Sequence, residues 1–111
     1  MENIRDIVAK EDSYRVFESA GELVGAWSRN PIVWSWGAHN WQMINTKVLR
    51  FRVNGHHHKG HVWIMVNGND LFDVFLTTSQ GNIVRNIKDV YIEDLTEAVD
   101  IAVEKIALYK Y

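Results

Sequence analysis

The chain contains no cysteine in its 111 residues. That excludes a disulfide framework, a thiolate zinc site and a thiol nucleophile, and it fits a reducing compartment. Proline is nearly absent as well: Pro31 is the single one, and after Asn30 it closes the first helical segment. Neither sign of charge dominates. Twelve Lys and Arg stand against fourteen Asp and Glu, for a net charge of -2. No general attraction to nucleic acid or to an anionic membrane follows, so a nucleic-acid role would need a local basic patch. No apolar run approaches the roughly 20 residues that span a bilayer. The charged opening "MENIRDIVAKED" lacks the apolar core of a signal peptide. The expectation is a cytoplasmic protein with no membrane partner. Phosphate-binding loops, G-x-S-x-G and H-E-x-x-H are missing too, so no cofactor and no catalytic residue is expected.

What is present suits one globular domain over residues 1–111, with 47% hydrophobic and 23% charged residues. Ile4, Ile7 and Val8 allow a short helical turn near the start. Val16, Phe17, Ala20, Leu23, Val24 and Trp27 recur at helical spacing, after Asp12 or Ser13 as a cap. "PIVWSWGAHNWQMIN" fits neither period and reads as an aromatic-rich connection with a short strand or helical turn. Its tryptophans suit core and surface equally. Trp27 reads as core, and His39 as a local hydrogen-bonding residue. From Thr46 the pattern alternates as strands do: "LRFRV", "HVWIMV", "FDVFLT" and "NIVRNIKDVYI", broken by Lys59-Gly60, "NGND" and "TSQGN". The last helix begins near Glu93 or Asp94, where Asp94 and Glu97 fit a capping box. Its buried stripe is Leu95, Val99, Ala102, Val103 and Ile106; Glu93, Glu97, Asp100 and Glu104 form an acidic outer surface. The fold class is α+β: an antiparallel meander sheet of three to four strands, flanked by an N-terminal and a C-terminal helix.

Five tryptophans and five histidines are many for this length, and four of the histidines fall in "NGHHHKGHV". Asn54-Gly55 and Lys59-Gly60 compete to turn this hairpin. The second buries more apolar surface, at roughly 25 cal/mol per Å², and pairs His58 with His61 and His56 with Trp63. Strand parity then puts Leu49, Phe51, Val53, Val62, Ile64 and Val66 on one side. Arg50, Arg52, Asn54, His56, His58, His61, Trp63 and Met65 fall on the other, with His57 on the core side. An odd-length loop at 67–69 adds Asp73 and Phe75 to the outer side. Trp63, Met65 and Phe75 make that side partly apolar, so it needs a cover: a helix, a partner or a second copy, which would make a homodimer.

Four chemistries compete for this face. His56, His58 and His61 could converge on zinc or nickel, but in no established metal-ligand spacing. A histidine pair with Lys59 could do acid-base work on a phosphodiester, though an exposed hairpin tip holds groups poorly. Arg50, Arg52, Lys59, the histidines and Trp63 could pair phosphates and stack a base. The order of elements resembles the double-stranded RNA-binding domain, but the last helix begins "EDLTEAVD", which repels phosphate. Finally, Trp and Arg are enriched at the centres of protein interfaces. The binding set expected on this basis is Arg50, Arg52, His56, His58, Lys59, His61, Trp63 and Phe75.

The run from "FRVNGHHHKGHVWI" through "LFDVFLTTSQGNIV" to "DVYIEDL" resembles small uncharacterised proteins of bacterial phages and conjugative elements. The resemblance implies an accessory protein of a mobile element that engages a host or phage protein, including components of defence systems. It implies no activity and no site residue.

Overall fold

A computed structural model describes residues 3–9 and 14–104. The elements, in chain order, are α1 (Ile4–Ala9), β1 (Tyr14–Arg15), α2 (Ala20–Trp27), α3 (Pro31–Ser35), β2 (His39–Asn45), β3 (Val48–Asn54), β4 (Lys59–Asn67), β5 (Phe72–Thr77), β6 (Ile83–Val90) and α4 (Ile92–Val103). The α+β class and the meander hold. The antiparallel sheet has six strands, in the order β2-β3-β4-β5-β6, and β1 pairs with β4. β1 meets β4 at Asn67 and Val66, just past the point where Val48 of β3 pairs with Met65.

The alternation read from the sequence sorts the two faces. Leu49, Phe51, Val53, Val62, Ile64, Val74 and Leu76 form an inner core with Trp27 of α2, Val33 of α3, Trp36 just after it, and Leu95, Val99 and Val103 of α4. Two indole N–H groups anchor α4 there: Trp27 Nε1 donates to Thr96 Oγ1 at 3.0 Å, and Trp36 Nε1 donates to Asp100 Oδ1 at 2.9 Å. A buried indole needs such a partner, and this removes Asp100 from the acidic outer surface the sequence predicts. Trp41 stacks on Phe51 with centroids 4.3 Å apart, while Trp34 is 62% exposed. The aromatic-rich connection is thus a short helix followed by a strand, with core and surface both represented.

The outer face is also covered. Ile4 of α1 is fully buried against Val48, Trp63, Met65 and Phe75, with Ile7, Val8, Tyr14 and Ile83 packed around them. The backbone N–H of Ile4 donates to Gly81 at 2.8 Å and Asn3 bridges to Asn82, which ties α1 to the β5–β6 turn.

Helix boundaries depart from the expectation at two places. The proposed cap at Asp12 or Ser13 lies outside the described residues. Tyr14–Arg15 is a strand instead of helix, Val16 is exposed, and α2 begins only at Ala20. Pairing with β4 outweighs a weak local helical preference in this stretch. The last helix starts at Ile92 after Tyr91, with no side-chain cap, so Asp94 lies inside its first turn. Ile106 lies outside the described residues.

Candidate functional site

The hairpin between β3 and β4 turns neither at Asn54-Gly55 nor at Lys59-Gly60. Asn54 pairs with Lys59, and the reversal runs through residues 55–58. Packing against the end of α4 decides this. The backbone N–H of His57 donates to the Val103 carbonyl at 2.7 Å, and that of His56 donates to the Glu104 carboxylate. A Cβ on Gly55 would lie 2.4 Å from the Val103 oxygen, so only glycine allows this approach. The observed register differs from the predicted one by an even shift, so the faces assigned to β3 and β4 stand.

Across the outer face, side chains form cross-strand rows. One row runs His39–Arg52–His61–Thr77, over β2 to β5. The next runs Gln42–Arg50–Trp63–Phe75–Asn86. Asn54 and Lys59 close the end of the sheet beyond the first row. α1 covers the apolar rows; in the first row Thr77 is buried and His61 half-buried, while His39, Arg52 and the Asn54–Lys59 pair are exposed. Trp63 and Phe75, expected on an exposed contact surface, are therefore core residues at 6% and 2% exposure. Trp63 donates its indole N–H to Thr77 Oγ1 at 2.9 Å and carries Arg50 over its ring. The cover the sequence calls for is this chain's own helix.

The histidine cluster disperses. His56 and His57 are exposed at the tip, with ring centroids 5.1 Å apart. His58, not His57, turns inward: it is buried and its Nε2 lies 3.2 Å from the His61 carbonyl, to which it donates. Burial pushes its imidazole below the ordinary value, against raising hydrogen bonds to the His61 and Thr77 backbone. His61 lies half-buried in the first row. Its imidazole is also lowered, first by burial and then by the positive charge of Arg50, Arg52 and His58. Among the described residues, no three His, Cys, Asp or Glu side chains are grouped to hold a metal.

What the surface does gather is cationic. Arg52 and Lys59 are exposed and, among the described residues, have no ion-pair partner. Arg50 is half-buried and hydrogen-bonds Gln42 Oε1. His39 joins them from β2, opposite Arg52, and its Nδ1 donates to the Gly37 carbonyl at 2.6 Å. His39 is absent from the set expected from the sequence because its stretch fits neither period, and only the pairing of β2 with β3 places it beside Arg52. α4 packs on the other face of the sheet and, at its end, Glu104 reaches the hairpin tip at His56, so a chain of net charge -2 still gathers Arg52 and Lys59 on one exposed edge of the outer face.

A second polar group is built deep into the sheet. Asp73 is 5% exposed. Its carboxylate accepts from Tyr14 Oη at 3.1 Å, Asn67 Nδ2 at 3.0 Å and the Asp89 backbone N–H at 3.1 Å. Asp89 has φ 57 and sits where the β5–β6 register shifts, so the carboxylate stabilises that bulge. This network joins β1, β4, β5 and β6 and reads as structural.

Comparison with protein-family models, curated proteins and solved structures gives no match.

Proposed function

We propose that this chain is a non-catalytic binding protein that engages a host macromolecule through the open half of its outer sheet face, and that the partner surface is anionic. The observation that carries this reading is the pair of exposed cations Arg52 and Lys59 beside His39 and His61, with no ion-pair partner for either cation among the described residues. The apolar anchors Trp63 and Phe75 lie under α1, so electrostatic complementarity, which sets specificity and association rate, is the principal resource left on this surface. The resemblance to mobile-element proteins supports a host protein as the partner, including a component of a defence system.

The test is capture of partners from host lysate by the wild-type chain and by an Arg50→Ala, Arg52→Ala variant, with folding checked by circular dichroism. Loss of an acidic protein from the variant's captured set supports the reading. An identical captured set from both chains sinks it.

Nucleic acid is the second reading, favoured by the same uncompensated cations on one sheet face. The buried Trp63 offers no free ring for a base to stack on, so binding would rest on phosphate contacts alone and weaken steeply with salt. Titration with single-stranded and duplex oligonucleotides at two salt concentrations decides it: no binding at low salt removes nucleic acid as a partner.

A further inference from the structure

We infer that the hollow at the open end of the outer face, lined by His39, Arg52, Asn54, Lys59 and Ser79, is the seat of a phosphate monoester. The inference deepens the reading above by naming the anionic group, and it rests on that reading only in placing the anion on this face. The hollow has a volume of about 300 Å³, and its walls include no Asp or Glu. Its side chains come from separate directions: His39 from β2, Arg52 and Asn54 from β3, Lys59 from β4, and Ser79 from the β5–β6 turn.

The arrangement selects among anions. A planar carboxylate is best met by two parallel donors of one guanidinium. Donors that converge from several sides suit a tetrahedral group with several acceptor oxygens. The fixed charges of Arg52 and Lys59 match a phosphate dianion. The Asn54 amide adds a neutral donor, and the Ser79 hydroxyl, which makes only a long 3.4 Å bond to Gln80 Oε1, adds a second by rotating to the anion. His39 lines the hollow from β2, and its ring is fixed there by donation from Nδ1 to the Gly37 carbonyl. The floor is well defined. Gly60 lines the hollow at φ 152, and a Cβ there would lie 2.3 Å from the Thr77 oxygen, so β4 and β5 pack too closely for any other residue.

The probe is inorganic phosphate, followed by two-dimensional NMR on the full chain, with acetate at matched ionic strength as the comparison. Saturable shifts at the Gly60 and Ser79 amides and the His39 ring are expected with phosphate. Acetate should bind at least about tenfold more weakly, and Lys59→Gln should weaken phosphate binding about tenfold, the loss of one charge-assisted hydrogen bond. Equal response to acetate, shifts that never saturate, or insensitivity to Lys59→Gln would each overturn the inference. Two further arms identify the carrier: a phosphoserine peptide and a 5′-phosphorylated oligonucleotide, each against its unphosphorylated twin. Preference for either phosphorylated form supports the site and names its source; preference for neither overturns it. If phosphate fails to bind while the double arginine variant loses its partner, this inference falls and the proposed function stands. If phosphate binds while capture is unaffected by that variant, the reverse holds.

Discussion

The guanidinium of Arg50 lies 5.3 Å from the ring centroid of Trp63, and that contact marks the boundary between the two halves of the outer sheet face. On one side the indole belongs to a core sealed by Ile4 of α1. On the other, Arg52, His61 and Lys59 face outward. The two residues therefore answer differently to substitution. Trp63→Ala removes a buried ring and its hydrogen bond to Thr77, and should cost about 3–5 kcal/mol. Arg50→Met keeps the aliphatic stem and should stay within about 1 kcal/mol of wild type. Urea unfolding of both variants checks this. A Trp63→Ala variant as stable as wild type would show that α1 does not seal the ring.

The Asp73 network makes a second prediction. Removing the carboxylate strands the Tyr14 hydroxyl and the Asp89 N–H, while the Asn67 amide keeps only its bond to Asp89 Oδ1. Asp73→Ala should therefore cost about 2–4 kcal/mol, and Tyr14→Phe about 1 kcal/mol. Burial first, and then the Asp73 charge and hydrogen bond, push the Tyr14 phenol well above its ordinary value of 10.0. The unfolded chain releases that proton near pH 10 and the folded chain does not. Stability from this group is present below pH 10 and is lost as pH rises through the raised value. Ultraviolet titration should show a tyrosine that ionises late, absent from Tyr14→Phe.

Acid acts on the opposite end of the sheet. His58 and His61 are both held below their ordinary value of 6.5, each by burial first. The folded chain thus binds fewer protons than the unfolded chain between those lowered values and pH 6.5. Stability from these groups is fully present above pH 6.5 and declines as pH falls through the folded values. The urea midpoint should be lower at pH 5.5 than at pH 7.5, and less so in a His58→Gln, His61→Gln variant. Equal pH dependence in the two chains would show that other groups carry it.

Glycine substitutions should split by site. Nothing lies within 4 Å of a Cβ built on Gly21 or Gly25 in α2, so alanine there should stabilise by about 0.5–1 kcal/mol each through helix propensity. At Gly55 the new methyl meets the Val103 carbonyl, and at Gly60 it meets the Thr77 carbonyl. Alanine at either should destabilise the chain. Thermal melts of the single variants separate the pairs.

The sequence alone determined the α+β class, the strands from Thr46 onward, and the two sets of sheet residues. Alternation with period two survives any even slip in register, so Leu49, Phe51 and Val53 stay opposite in face to Arg50 and Arg52 wherever the hairpin turns. It also determined the buried stripe of α4, whose spacing is long and regular. Only the tertiary structure decided the rest. The turn sits at residues 55–58 because the end of α4 supplies partners for its backbone, a contact between residues nearly fifty positions apart. Trp63 and Phe75 are core because a six-residue helix from the start of the chain lies over them, and no local pattern announces such a return. β1, and whether the stretch at 39–45 is strand or helical turn, depend on tertiary structure for a related reason: a two-residue strand and an irregular edge strand are defined by the backbone they pair with, not by their own side chains. That covering helix decides which half of a face legible in the sequence is left open to a partner.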